Sequence, residues 1–487
     1  MKAIVPIFVV AGTCLLAQCS YSADGRVYDI RTFDAVPGGK RLCTRAIQKA
    51  IDRCAERGGG TVYFPPGVWL SGTLNLRSHV TLEIEAGGCL LGSANPADFP
   101  EQPARFRSYT DHYVRQALIR GEGLEQVAIR GRGTIDGQGG KFRWKEYKNR
   151  PYVIRLVQCR DVLVEGITLR DAPMWMQHYL ACERVRIHGI TVHDMATYNN
   201  DGIDIDGCRD AVVSDCTILS LDDALCLKST SNRPCENVTI ANCVLSSHCN
   251  ALKMGTESVG GFRNITVTNC AISSPPPANP IDGNSRGISG IALELVDGGR
   301  LEGVTVSNVT IDGVSTPIFL RLGNRGRPIA DDMRRRGVGT FHNVLLSNIV
   351  ATRTGRIGCS ITGLPGHPIE NVCLSNVQLG FEGGGSKKDA ARPVAELEAH
   401  YPEASMFGVL PAYGFYCRHV VGLKLRDVQL RTLQPDLRHA LLCDDVKRLV
   451  LDGIDVRSAS DAAAAIGLIH SPQAEIYHCR ELAIEGR

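Results

Sequence analysis

Apolar and polar positions alternate along this chain in short, paired bursts. The recurring phrase is an apolar residue, any residue, an apolar residue, two polar residues, then apolar, any, apolar. It reads Val162-Leu-Val164-Glu-Gly-Ile167-Thr-Leu169 and Val185-Arg-Ile187-His-Gly-Ile190-Thr-Val192, and returns as Val238-Thr-Ile240-Ala-Asn-Cys243-Val-Leu245 and Ile265-Thr-Val267-Thr-Asn-Cys270-Ala-Ile272. Further copies begin at Val304, Val344, Val372, Leu423 and Leu449. The starts at Val162, Val185, Ala211, Val238 and Ile265 lie 23, 26, 27 and 27 residues apart. Period-two alternation marks a strand with one face buried. The two-residue break, often Ser-Asn or Asp-Gly, is turn chemistry. A strand, a tight turn and a second strand every ~25 residues make one coil of a parallel β-helix, so the expected fold is an all-β solenoid. The wider gaps from 265 to 304, 304 to 344 and 372 to 423 predict loops inserted between coils rather than new domains.

Ahead of the repeats the period becomes helical. Thr44 is placed to N-cap a helix with Ala46, Ile47, Ala50, Ile51 and Cys54 on one face and Gly58-Gly59-Gly60 at its end. Such a helix is the expected cover for the open end of the solenoid, in a cap spanning residues 28–60, with Thr61-Val-Tyr-Phe-Pro-Pro as the first strand. Behind Lys2, residues 3–17 form an apolar run of signal-peptide length, short for a membrane span. With Ser20-Tyr21-Ser22 before Ala23 as a cleavage site, residues 1–22 are expected to be a signal peptide and 23–487 one exported domain, periplasmic or extracellular. A lipid anchor at Cys19 is the lesser reading, because Gln18 stands where a small residue is expected. The loops at 273–286 and 380–415 are expected to lie over a cleft and close one end of it, which favours exo action on small oligosaccharides.

Composition narrows the class. With 44% hydrophobic and 22% charged residues, the chain can bury a large core. Fifty-four Lys and Arg against 51 Asp and Glu leave a net charge of +3, too weak a field to suggest a nucleic-acid partner. Nineteen cysteines would ordinarily announce a disulfide framework or a metal cluster. The repeat reassigns them. Cys159, Cys182, Cys208 and Cys235 precede the first strand of successive coils, while Cys216, Cys243 and Cys270 open the second. A small apolar side chain would stack inside the helix at both phases, and free cysteine behaves as one. No Cys-x-x-Cys pair occurs, and the 17 cysteines left after cleavage are an odd number, so neither a zinc cluster nor a complete disulfide set is expected.

The polar residues that break the repeat gather on neighbouring coils. Asn199-Asn200-Asp201-Gly202-Ile203-Asp204-Ile205-Asp206 is followed, 21 residues after Asp201, by Asp222-Asp223. That is nearly one coil, so the two clusters should stack on one face, with strands ~4.8 Å apart. Leu225 and Leu227 must point inward, so Asp222 and Asp223 are expected to straddle the bend before them. Three acids meeting there would repel one another and raise at least one pKa, as a general acid requires. Solvated turn acids or a calcium site are the plainer readings of the same residues. Asp204 and Asp206 are expected to order the bend rather than to react.

On these motifs the chain resembles glycoside hydrolase family 28, the polygalacturonase family of right-handed parallel β-helices (pectin-lyase-like solenoids). The family's Asn-Thr-Asp is matched by Asn199-Asn200-Asp201 and its Asp-Asp by Asp222-Asp223 at family spacing. Asp-Asp-Ala-Leu-Cys-Leu-Lys228-Ser and Ala172-Pro173-Met174-Trp175-Met176-Gln177-His178 resemble bacterial members as well. The resemblance implies that Asp222 protonates the glycosidic oxygen while Asp201 and Asp223 hold and deprotonate the attacking water. It also implies inversion, a pectin-type or related acidic polysaccharide or oligosaccharide as the partner, a single chain acting alone, and neither cofactor nor metal.

Two family motifs fail. Its Gly-His-Gly falls at Ser247-His248-Cys249-Asn250, with Cys249 at the histidine position and His248 one residue away, facing the other side unless a bulge restores it. Lys253 is the alternative cation. The family's Arg-Ile-Lys, which grips the substrate carboxylate, is missing from Gly287-Ile-Ser-Gly-Ile-Ala-Leu-Glu294. Arg286, Arg321 and Arg325 are the nearby candidates for a bidentate clamp. Trp175 and His178 are candidates for a sugar platform and its hydrogen-bond partner, and Asn199 for a further substrate contact. Two other readings compete with hydrolysis: a pectate-lyase-like β-elimination, and a non-catalytic glycan-binding β-helix. The paired acids on adjacent coils favour hydrolysis over both.

Overall fold

The protein, described from a computed structural model, is defined over residues 26–142, 146–276, 285–457, 462–479 and 483–486. The expected signal peptide at 1–22, its cleavage site and Cys19 lie outside the described residues. Each coil has three strands where the sequence pattern showed two. One coil runs Ile203–Asp206, Arg209–Ser214 and Thr217–Ser220; the next runs Leu225–Ser229, Cys235–Ala241 and Val244–Ser247. Every strand pairs in parallel with its equivalent one coil on: Ile203 with Leu225, Ala211 with Val238, Thr217 with Val244. The whole is an all-β, right-handed parallel β-helix, the hand that parallel crossovers take.

The two halves of the repeat are the second and third strands of each coil. They alternate because one side meets solvent. From Gly261 onward they fuse into single long strands such as Gly261–Ser273 and Arg300–Asp312. The first strand of each coil shows no alternation because it is buried on both sides: Leu225 and Leu227 point into the core, while Cys226 and Lys228 lie outward beneath loops. That outward side is where the acids gather.

The break between the second and third strands is a left-handed residue, Gly166 and Gly189 early and Asn242, Asn269, Asn308, Asn348 and Asn376 later, all with φ between 53° and 66°. Asparagine tolerates this region, and here it gains a partner. Each amide nitrogen donates to the side chain one coil before, from Asn242 to Asp215 at 3.2 Å through to Asn376 to Asn348 at 2.8 Å. Both cysteine phases are buried, and all seven of those cysteines carry free thiols.

At the N-terminal end, helix Thr44–Glu56 buries Ile47, Ala50, Ile51 and Cys54 against the first coil. Thr44 is its first residue rather than its cap. Its hydroxyl instead accepts from Gly72 N at 2.8 Å, tying the helix to the strand beneath it. Between Phe381 and Ala412 the chain leaves the coils and crosses the outward side of the first strands, where Ala404, Phe407 and Leu410 pack on Ile288, Ala292, Phe319 and Tyr416. This places the expected loop over the face that carries the acids. Of the other expected loop, residues 277–284 lie outside the described residues. No described helix is long and apolar enough to cross a membrane.

Candidate active site

Asp201 and the Asp222-Asp223 pair occupy the bends that lead into strands Ile203–Asp206 and Leu225–Ser229. The bends stack directly, with Gly202 N donating to Asp223 O at 2.9 Å. Asn200 locks them together. Its Nδ2 donates to Asp194 O and Oδ1 at 2.7 and 2.9 Å, and its Oδ1 accepts from Asp222 N at 3.1 Å. Asp222 is part-exposed, whereas Asp201 and Asp223 are buried. Carboxylate oxygens of Asp222 and Asp223 and the Cys249 sulfur all lie within 4.8 Å of one another.

Two buried lysines divide these acids. Lys228 Nζ lies 3.0 Å from Asp201 Oδ2, 3.2 Å from Asp204 Oδ1 and 3.8 Å from Glu257 Oε2. Lys253 Nζ lies 3.0 Å from Asp223 Oδ2. Asp223 also accepts from Asn250 Nδ2 at 2.8 Å and Asn250 N at 3.2 Å. Burial pushes Asp223 up, but Lys253, Lys228 and these hydrogen bonds together bring it below the usual carboxylate range. Burial and the charge of Asp223 push Asp222 up. Burial pushes Asp201 up to about 8 even beside Lys228. The result is one acid poised to hold a proton, accessible to solvent, beside one held ionised.

Loops wall the cluster. Glu257 accepts from Tyr113 Oη at 2.9 Å and Arg327 Nη2 at 2.7 Å. Arg325 grips Asp297 with two nitrogens, at 3.1 and 2.6 Å. From the crossing segment, Glu403 Oε1 comes within 3.9 Å of Cys249 Sγ, and the half-exposed Tyr401 ring lies 5.7 Å from Lys253 Nζ.

The structure brings Asp201, Asp222, Asp223 and Lys253 together, with half-buried Asn199 at the rim, its Oδ1 accepting from Arg150 Nη2 at 2.8 Å. Six expected substrate contacts are placed in other roles. His178 is fully buried, its Nε2 3.0 Å from Asp206 Oδ2 and its ring stacked on Tyr152. Trp175 is no open platform; at 4% exposure it packs beneath Val114 and Tyr113, with Lys228 Nζ 4.4 Å from its ring. His248 is buried, and Cys249 is the residue whose sulfur lies within 4.8 Å of the Asp222 and Asp223 carboxylates. Arg321 is buried and donates to Glu396 O at 2.5 Å, holding the crossing segment rather than a ligand. Arg286 pairs with Glu382 at 2.7 Å, at the root of that segment. Arg325 is likewise committed to Asp297.

Lys228, Asn250, Glu257, Arg327, Tyr401 and Glu403 were not singled out from the sequence. Lys228 had a signal: if Leu225 and Leu227 point inward, parity sends Lys228 outward beside the acids. Asn250 and Glu257 stand on the next strand of the stack, Asn250–Ser258, while Arg327, Tyr401 and Glu403 come from segments distant in sequence. Asp222, Asp223 and Cys249 are the described set that could ligate a metal ion, though Lys253 already places a positive charge on Asp223.

Residues 73–397 match the family described as "Glycosyl hydrolases family 28". A "Probable polygalacturonase" of Vitis vinifera is 34% identical over 212 residues, 40% of this chain and 43% of that protein. An "Exo-poly-alpha-D-galacturonosidase" of Dickeya chrysanthemi is 36% identical over 124 residues, 24% of this chain and 20% of its own length. The chain thus matches less than half the length of these curated relatives. Among solved structures, a hyperthermoactive exopolygalacturonase from Thermotoga maritima shares the fold with a TM-score of 0.66 at 21% identity, over 83% of this chain and 92% of that one.

Proposed function

The chain belongs to glycosyl hydrolases family 28, and from that premise we propose that it is an exported glycoside hydrolase acting on a pectin-type polysaccharide or oligosaccharide with inversion. The observation that carries the reading is the split between two adjacent carboxyls. Asp222 is part-exposed and pushed up by burial, while Asp223 is kept ionised by Lys253. That is the acid and base assignment a two-carboxylate hydrolase needs. Asp222 gives its proton to the glycosidic oxygen as that bond breaks. Asp223 takes a proton from the water whose oxygen bonds to the anomeric carbon, and Asp201, anchored on Lys228, orients that water. The two product sugars carry away the elements of water, and the proton on Asp223 returns to Asp222 through solvent.

The Asp222 and Asp223 oxygens lie within 4.8 Å, closer than the ~6.5–9.5 Å of common inverting pairs. Product stereochemistry is therefore the sharpest reading. On a panel of pectic oligosaccharides, proton NMR is expected to show the first-formed anomer inverted, and Asp222→Asn to lose turnover by about 10³-fold or more while still binding substrate. A retained anomer would sink inversion; an ultraviolet-absorbing unsaturated product would replace hydrolysis with elimination. Expressed in the native cell, activity and a mature chain beginning at Ala23 are expected in the periplasm or medium.

A further inference from the structure

We propose that the sugar lodged beside the scissile bond, in the subsite walled by Tyr401 and Glu403, is uncharged: a neutral sugar, or a uronate whose carboxyl is esterified. The inference rests on the hydrolase reading for its placement at a scissile bond. Three observations carry it.

First, among the described residues, the cations beside the acids are committed to carboxylates. Lys228 serves Asp201 and Asp204, Lys253 serves Asp223, Arg325 serves Asp297, and Arg327 serves Glu257. A free uronate would have to displace a buried carboxylate to be gripped, and breaking a buried pair is costly. Second, among the described residues, the groups that reach solvent from the crossing segment and the bend beside the acids are the Glu403 carboxyl, the Cys249 thiol and the Tyr401 ring, the last 5.7 Å from Lys253 Nζ. A like charge against the ligand selects against the wrong partner. An exposed tyrosine ring with a carboxyl beside it suits the apolar face and hydroxyls of an uncharged sugar. Third, the next strand outward is built the same way. On Ser289–Leu295 the outward side chains are Ala292, covered by the crossing segment, and Glu294. Glu294 is fully buried, and among the described residues neither of its oxygens has a hydrogen-bond partner. Burial pushes it up to about 8. An anion-binding floor would place a cation here, and this one places an acid.

The test uses Asp222→Asn protein for binding and wild type for turnover, so that the two readings fail separately. Calorimetry would compare three trisaccharides: free-acid oligogalacturonate, its methyl ester, and one alternating galacturonate with a neutral deoxyhexose. An uncharged form is expected to bind at least about tenfold tighter than the free acid, and the stronger uncharged arm identifies the source. Glu403→Gln, checked for an unchanged melting temperature, is expected to narrow that gap. Equal or tighter binding of the free acid, an unmoved ratio in Glu403→Gln, or no binding of any trisaccharide would overturn the proposal. Discrimination by the Asp222→Asn protein with no wild-type turnover would instead overturn the hydrolase reading and leave the selectivity standing.

Discussion

Lys228 and Lys253 sit on adjacent coils and pair with different acids, the division on which the proposed mechanism rests. Lys253 touches Asp223 alone among the three acids proposed to react, whereas Lys228 is shared among Asp201, Asp204 and Glu257. Replacing Lys253 with Met removes the largest cause that lowers Asp223, so its pKa must rise. The base would then be protonated over a wider acidic range. The acidic limb of the kcat/KM profile is expected to move to higher pH, with a loss of about tenfold per unit of displacement on that side. The basic limb, set by the raised Asp222, should move far less, although coupled acids report apparent values for the set. A profile with an unmoved acidic limb would remove Lys253 from this role. The acids themselves were legible in the sequence because their spacing equals one coil. His178 and Trp175 misled because a polar ring and an indole look alike whether they face sugar or a covered strand. The loops that cover them are distant in sequence: Val114 and Tyr113 lie some sixty residues before Trp175.

At the level of elements, alternation revealed two strands of every coil and hid the third. Arg209–Ser214 and Thr217–Ser220 alternate because water meets one side; Leu225–Ser229 does not, because the crossing loops bury its outward side too. The site therefore stands on the one strand type that periodicity cannot show, and its acids were found by spacing instead. The asparagine turns, by contrast, were legible as turn chemistry and carry a measurable load. Asn308 has φ 54°, donates to Asn269 Oδ1 at 3.1 Å and accepts from Asn348 Nδ2 at 2.9 Å. Asn308→Ala keeps a Cβ in the left-handed region without the polar side chain that makes it tolerable, loses both ladder bonds and is expected to cost about 2 kcal/mol, and Asn308→Gly, which has no Cβ, about half of that. Because a solenoid is stabilised coil by coil, the loss should show as faster amide exchange in the turns at Asn269 and Asn348 before it shows globally. Equal costs for Ala and Gly would mean that the ladder, and not the backbone, supplies the whole effect.

Over the whole molecule, the groove along the first strands is stopped on both sides of the acids. Toward the N-terminus, Val114 and Tyr113 lie on Trp175 and Tyr152; toward the C-terminus, Phe407 and Ala404 lie among Ala292 and Phe319. Between these two stops the strands run from Gln177–Leu180 to Ser289–Leu295, four steps in the stack, with Asp222 reaching solvent at the bend between them. At ~4.8 Å per step that is about 19 Å, room for a few sugar rings and not for a continuing polymer. A site of this length should act at chain ends. Reducing ends are then expected to rise while the viscosity of a polymer solution falls slowly, with short products present from the first minutes. Shortening the crossing segment outright would bare Ala292, Phe319 and Tyr416, so the cleaner variant is Tyr401→Gly with Glu403→Gly, which opens the wall and leaves Ala404 and Phe407 in place. In that variant, intermediate-length products are expected to appear and viscosity to fall faster per bond cleaved. If wild type already thins the polymer as fast as it cuts it, the two stops do not bound the substrate and the chain must run across them rather than between them.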